Sequence, residues 1–341
     1  MGKTSLAKYV QKLVSDKMLG VYISNKGNES LEKLATDIIE GLVNYIPENS
    51  IKHKIKKIFG DSIESLEFKG TKVNFKLNDY ATKDFVNDFS HYLYETYLEL
   101  NTDKGIFLII DDINGLSDSK EFVNWYKRFA DTIEMRNYNI PIYILIAGYP
   151  EKFQNLVNHD ESFARIFHYD DIDYLSENEI TDFFKDTFNS VNMNCDEDAL
   201  SFMTTFSRGI PLMMQEIGDT VFWETEGFNV NINYAKDGII EAGRLIGRQI
   251  KPVLDRTIRS EKYENILMKL GKYSADSFKK SNFEKYLTSD EKKVFSDFLK
   301  RATQLNILES IGKYKSGEYR FSNRLYLVYF MILNFENDIS N

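Results

Sequence analysis

The stretch Gly105–Leu116, GIFLIIDDINGL, constrains this chain more than any other. Five apolar residues, Ile106 to Ile110, run directly into two adjacent carboxylates, Asp111 and Asp112, and then into Asn-Gly. A run this short and apolar, closed by turn residues, predicts a strand buried on both faces, the kind found in parallel sheets flanked by helices. Its carboxylates then stand at the strand's C-terminal edge, where open α/β sheets bind their ligands. Two carboxylates there can hold a hard cation and polarise a water against a nucleotide phosphate. Apolar runs ending in Asp are common, so the chemistry depends on a partner motif elsewhere.

The chain opens Met1-Gly2-Lys3-Thr4-Ser5, and apolar residues at Leu6, Val10, Leu13 and Val14 follow at helical spacing. Gly2-Lys3-Thr4 therefore sits at a helix N-terminus. Backbone N–H groups and the helix dipole favour an anion there. A Lys can reach the outer phosphates and the hydroxyl after it can ligate Mg2+, the logic of G-x-x-x-x-G-K-[ST]. Only the last three positions of that pattern are present.

Between these motifs the pattern alternates strand and helix. Leu19–Ser24 reads as a strand, Glu29–Tyr45 as an amphipathic helix, and Val73, Phe75 and Leu77 as part of a short edge hairpin. Lys52 to Lys57 reads as a solvated helix face. After Asp112, Ser117–Asn137 predicts a long helix, and Pro141–Ala147 a buried strand ended by Gly148. Phe163-Ala164-Arg165-Ile166-Phe167 leads into a further predicted strand, Ile166–Ile172. Residues 1–175 thus form an α/β domain with a doubly wound parallel sheet.

From Ser176 to Ile250 the pattern is wholly helical, opening on Ser176 as cap with Glu179 as its reciprocal partner and broken at Arg208-Gly209-Ile210-Pro211. Residues 176–250 read as a small helical domain, the lid of the resemblance given below. Residues 251–341 differ again. Helices over Tyr263–Lys272 and Ser289–Leu305 precede two short strands joined by a Gly- and Lys-bearing turn, which describes a winged helix. Lys292, Lys293, Lys300, Arg301, Lys313, Lys315 and Arg320 place positive charge on its recognition helix and wing. Such modules bind DNA or dock proteins, and both partners remain open.

Composition narrows the class. A single cysteine, Cys195, excludes an internal disulfide framework, and His53, His91, His159 and His168 lack ligand-like spacing. The longest apolar run, Leu325–Leu333, is too short for a bilayer, so a soluble cytoplasmic protein without a membrane partner is expected. The net charge of −9 is uneven: from Lys251 onward there are 17 Lys and Arg against 12 Asp and Glu. That weakly basic end on an acidic body argues against a dedicated sequence-specific DNA reader.

Taken in order, the pieces are Gly-Lys-Thr-Ser at a helix start, a strand ending Asp111-Asp112, a strand ending Ala147-Gly148, the segment around Arg165, Gly209-Ile210-Pro211 in a helical lid, and a winged helix. This order resembles the STAND and origin-recognition branch of AAA+ P-loop ATPases, close to the archaeal-type ATPases, over essentially the whole chain. The resemblance implies ATP and Mg2+ as cofactors. Gly2, Lys3, Thr4 and Ser5 would belong to Walker A, with Lys3 on the β- and γ-phosphates and Thr4 on Mg2+. Asp111 would match the Walker B aspartate holding Mg2+. Asp112 would orient and deprotonate the attacking water, and as an Asp in place of the usual Glu it implies slow hydrolysis.

The strand ending at Gly148 would match sensor 1, but no Asn, Thr or Ser stands at its tip. Arg165 would contact the γ-phosphate or act on a neighbouring subunit of a homo-oligomer; alternatively it is a surface arginine capping Asp170 or Asp171. Gly209 and Pro211 would be the GxP of the lid, near the adenine. The family carries a strand and glycine-rich turn ahead of Gly-Lys-Thr, so the resemblance also implies truncation within Walker A. The function implied is an ATP-binding protein, a slow Mg-dependent ATPase working as a nucleotide-dependent switch. The alternative is an inactive nucleotide fold whose winged helix binds DNA or a protein partner.

Overall fold

The computed structural model describes residues 2–25, 30–69, 72–113, 115–258, 260–311 and 317–340. Met1, Asn114, and Lys313 and Lys315 of the expected wing turn lie outside them. The chain divides into two compact units, Gly2–Ile172 and Asp173–Asn341.

The first unit begins with α1 (Lys3–Leu13), β1 (Met18–Ser24), α2 (Leu31–Val43) and α3 (Glu48–Phe59). An antiparallel hairpin of β2 (Ile63–Lys69) and β3 (Lys72–Leu77) follows, then α4 (Asp79–Asn87), α5 (Phe89–Leu100), β4 (Gly105–Asp111), α6 (Lys120–Met135), β5 (Ile142–Ala147), α7 (Pro150–His159) and α8 (Phe163–Ile166). The sheet is parallel in the order β1-β4-β5, so β4 is central, and every residue of it is buried. That is why its sequence is apolar without alternation: each side chain meets a covered face. One face carries α2, α5 and α6, with Ile38, Ile39, Phe85, Phe122 and Phe163 among its fully buried side chains. The other face is thinner, Ala7 of α1 packing with Phe107 and Ile109.

Three expectations change here. Ile166–Ile172 is not a strand. Phe163–Ile166 is one helical turn, and 167–172 pairs with no strand, because its polar residues from His168 to Asp171 are exposed and only Phe167 turns inward, against Tyr126 and Phe163. On α1, the face that packs is Ala7, Val10 and Val14, whereas Leu6 and Leu13 are 48% and 61% exposed. The basic run of α3 is only partly a solvated face, since Lys57 pairs with Glu99 and Lys54 donates to the Glu99 carbonyl.

The second unit runs α9 (Glu177–Ser190), β6 (Asn194–Cys195), α10 (Glu197–Ser207), α11 (Pro211–Glu224), β7 (Asn229–Val230) and α12 (Ile232–Thr257). It continues with α13 (Glu261–Tyr273), β8 (Phe278–Lys279), α14 (Lys280–Phe283), α15 (Ser289–Gln304), β9 (Leu308–Ile311), β10 (Glu318–Phe321) and α16 (Arg324–Ser340). The Ser176–Glu179 capping box is formed, Ser176 accepting from the Glu179 backbone while Glu179 accepts from Ser176. The 176–250 region is not wholly helical: β6 and β7 form a two-residue parallel bridge. α12 continues through position 250 and through Pro252. One hydrophobic core serves the whole unit, joining Phe184 and Met213 to Phe295 and Phe330. Close approach builds it: a Cβ on Gly243 would meet Ile332 at 2.4 Å, and one on Gly271 the Phe330 Cβ at 2.4 Å. β8, between α13 and α14, joins β9 and β10, which follow α15, in an antiparallel sheet in the order β8-β10-β9.

Candidate nucleotide and cation site

Three elements of the first unit converge on one carboxylate. β4 carries Asp111 at its last residue, in register with Ser24 of β1 and Ala147 of β5, at the C-terminal edge of the sheet. The backbone carbonyl of Asp111 accepts from Asn25 N at 2.9 Å, which extends the β1–β4 ladder by one bond. α1 lies on the sheet through Ala7 and Val10, and this packing brings its first turn over the strand end. Thr4 Oγ1 donates to Asp111 Oδ2 at 2.5 Å. Tyr22 of β1 donates its hydroxyl to the same oxygen at 2.7 Å.

Asp111 is only 5% exposed, yet its side-chain partners are two neutral hydroxyls, and no ion pair to it is present among the described residues. An ionised carboxylate held in that way is short of positive charge, since burial without a counter-charge is costly. Burial, followed by the hydrogen bond to Asp111 and that residue's negative charge, raises the Tyr22 phenol above its ordinary pKa, so Tyr22 stays a donor at neutral pH. A carboxylate beside a threonine hydroxyl is a hard-oxygen donor pair that suits Mg2+, which takes few protein ligands and completes its shell with water and phosphate. No cluster of three or more His, Cys, Asp or Glu able to hold a metal occurs among the described residues.

Gly2 caps α1 at φ 86°, a left-handed conformation open to glycine, and Leu6 N donates to its carbonyl at 2.9 Å. Lys3 follows at the first helical position with its Nζ over the Tyr149 ring, 4.5 Å from the centroid. Ser5 is exposed on the same turn. Asp112 is exposed at φ 61°, just past the end of β4, so the two carboxylates face different surroundings. At the tip of β5, Gly148 lies against Ile113, where a Cβ would sit 2.8 Å from Cγ2.

Arg165 is exposed on α8 and makes no side-chain hydrogen bond or ion pair among the described residues. It does not cap Asp170 or Asp171: Asp170 pairs with His168 at 3.4 Å, and Asp171 accepts from Tyr169 at 2.5 Å. Gly209 and Pro211 belong to the second unit, where they build a corner. Gly209 has φ +70°, and a Cβ there would lie 2.3 Å from the Leu175 carbonyl oxygen. Its own carbonyl accepts from Leu175 N at 3.1 Å, and Pro211 starts α11 at a position where no N–H is needed.

Sequence reasoning missed Tyr22 and Tyr149. Tyr22 carried a usable signal, since a tyrosine inside a buried strand must find a partner for its hydroxyl. Tyr149 carried none, because the reach of Lys3 to the turn between β5 and α7 is a tertiary fact.

No protein-family model matches the chain, and no curated protein matches it in sequence. Among solved structures, the Aeropyrum pernix ORC2 protein in ADPNP–ADP complexes is similar at TM-score 0.51 and 12% identity, covering 100% of this chain and 86% of that one. The Walker-type ATPase paby2304 of Pyrococcus abyssi is similar at TM-score 0.49 and 17% identity, covering 96% and 87%. Cdc6p from Pyrobaculum aerophilum gives 0.42 and 13%, covering 98% and 85%. The chain shares the fold of the ORC2 protein, a parallel α/β sheet followed by a largely helical C-terminal region.

Proposed function

We propose that the chain is an ATP-binding protein of the STAND and origin-recognition branch, a slow Mg-dependent ATPase that acts as a nucleotide-dependent switch. The observation that carries this reading is the convergence of Thr4 on the buried, cation-poor carboxylate of Asp111 at the sheet's C-terminal edge. Gly2, Lys3, Thr4 and Ser5 hold the phosphates at the N-terminus of α1 through backbone N–H groups and the Lys3 ammonium. Thr4 and Asp111 hold Mg2+, which neutralises phosphate charge when bound. Asp112, exposed to water beside them, accepts the proton of the attacking water, and its short side chain makes hydrolysis slow. Arg165, which has no carboxylate partner among the described residues, serves the γ-phosphate in its own or a neighbouring subunit. Gly209 and Pro211 form the corner that we read as the GxP of the family's lid. The chain works in the cytoplasm as a switch toward a protein partner or DNA; no described helix is long and apolar enough to cross a membrane.

A second reading has its own support. Lys292, Lys293, Lys300 and Arg301 are exposed on α15, the helix a winged helix uses for recognition. In that reading the nucleotide fold is inactive and this surface does the binding.

Calorimetry of Mg-ATP binding separates the two. β5 pairs only with β4 among the described residues, and its other edge takes no strand. The titration is therefore run on this chain and on a version with a strand and glycine-rich turn added ahead of Gly2, each with Lys3→Ala and Asp111→Ala controls. Mg-dependent binding by either form, abolished by both substitutions, supports the ATPase. Absence of binding by both forms sinks it and leaves the α15 surface as the working part.

A further inference from the structure

Away from the Asp111 site, the second unit contains a cleft of about 610 Å3 between α13, α15, α16 and the turn of helix over Glu284–Tyr286. Its volume falls within the range of small-molecule sites. One wall is a pair of stacked tyrosines, Tyr273 and Tyr286, with centroids 4.3 Å apart and planes inclined by 2°. Tyr273 is 47% exposed and lines the cleft with Tyr286, so aromatic surface is within reach of a bound planar ring. Lys285 stands over the Tyr286 ring at 4.8 Å and has no carboxylate partner among the described residues.

The other groups lining the cleft fit the same kind of ligand. Lys272 pairs with Asp338, whose side chain is 60% exposed, so this ammonium can exchange its partner for a phosphate at little cost. Lys269 is committed elsewhere: it pairs at 2.5 Å with Glu291, which is 5% exposed and also accepts from Thr288 N. The cleft's one buried carboxylate is thereby neutralised and does not repel an anion. Asn334 spends its amide N–H groups on the Met268 and Phe330 carbonyls, at 2.8 and 2.6 Å, which fixes the side chain and leaves its carbonyl oxygen to accept. Asn265 offers a second amide in the lining.

We propose that this cleft binds a nucleoside phosphate, as a free nucleotide or as one residue of a single strand. The base stacks on Tyr273, Asn334 and Asn265 meet its edge, and Lys285 and Lys272 take the phosphate. Aromatic stacking combined with lysine at the backbone is the chemistry by which single strands are held without base pairing. An acidic peptide would use the two ammonium groups but has no planar ring to lay on the tyrosine stack.

The test uses the full chain carrying Lys3→Ala, so that the site at Asp111 cannot contribute. Two probes are titrated, 2-aminopurine riboside 5′-phosphate and a tetranucleotide containing 2-aminopurine, whose fluorescence is quenched when the base stacks. Quenching by both probes identifies a free nucleotide ligand, and quenching by the tetranucleotide alone identifies a single strand. In either case Tyr273→Ala and Lys285→Gln should each weaken binding by about tenfold or more. Both side chains are exposed, and circular dichroism checks that the variants fold. No quenching by either probe overturns the proposal, as does quenching that both variants leave unchanged, which would locate the ligand elsewhere, such as the exposed lysines of α15.

Discussion

Thr4 and Asp111 stand 107 positions apart in sequence and share a 2.5 Å hydrogen bond, Thr4 Oγ1 to Asp111 Oδ2. Tyr22 donates to the same oxygen at 2.7 Å, so the two hydroxyls are distinguishable by role. Thr4→Val should reduce Mg-dependent ATP affinity by tenfold or more, since a hydrogen bond to a charged group is worth about 1.5–3 kcal/mol. Tyr22→Phe should keep the Mg2+ dependence and lose about 1 kcal/mol of stability. Calorimetry at several Mg2+ concentrations, together with urea unfolding, checks both. Equal loss of Mg2+ dependence in the two variants would show that Thr4 is only a structural partner of Asp111.

The corner at Gly209 should be intolerant of any side chain. Its φ of +70° costs an L residue about 1–2 kcal/mol, and the added Cβ would meet the Leu175 carbonyl oxygen at 2.3 Å. Gly209→Ala should therefore destabilise the second unit by about 2 kcal/mol or more. Gly227 supplies the control, with φ +90° and nothing within 4 Å of a Cβ, so Gly227→Ala should show the backbone cost alone. Thermal unfolding of the two variants should differ by several degrees in Tm.

Arg324 ties three parts of the second unit together. Its guanidinium lies 3.9 Å from the centroid of Tyr174, donates to the Arg208 carbonyl at 3.0 Å, and pairs with Asp276 at 2.6 Å. Arg324→Ala should cost about 2 kcal/mol and speed proteolysis around Tyr174. Arg324→Lys should recover only part of the loss, because an ammonium cannot reproduce the planar fork. Limited proteolysis followed by mass spectrometry reads both.

Cys195, the chain's one cysteine, should be slow to react. Half-burial, aided by the charge of Asp196, pushes its thiol up to about 11 from an ordinary 9.0. The folded state favours the neutral thiol, so its contribution to stability is complete below pH 9.0 and is lost as pH rises through about 11. Thiolate absorbance should titrate near that upper value in the native protein, and alkylation at pH 8 should accelerate sharply on addition of urea. Titration at the ordinary value in the native state would contradict the burial of this thiol.

Local chemistry made much of the fold legible. The uninterrupted apolar run of β4 signalled a doubly covered strand, and every one of its residues is buried. Ser176 and Glu179 signalled a capping box through spacing alone, because both of its bonds close within one turn. The segment Ile166–Ile172 misled for the same local reason. Its apolar ends look like a strand, but a strand needs a neighbour to satisfy its backbone, and none is there among the described residues. On α1, Leu6 and Leu13 were as apolar as the residues that pack, and only the orientation of the helix on the sheet selected Ala7, Val10 and Val14.

The site divides along the same line. The sequence by itself determined the residue types, a Gly-Lys-Thr at a helix start and two carboxylates at a strand end, and the parallel character of the sheet between them. Only the tertiary structure decided that Thr4 meets Asp111 rather than Asp112, that Tyr22 shares its oxygen, and that Lys3 rests over Tyr149. It also showed Gly209 and Pro211 as the corner that grips Leu175. Helix starts, caps and strand burial are set by interactions a few residues apart, which a pattern can show. Which carboxylate is buried, and what reaches it, depends on how α1 packs across a sheet assembled from segments more than a hundred residues apart, and that packing has no local signature.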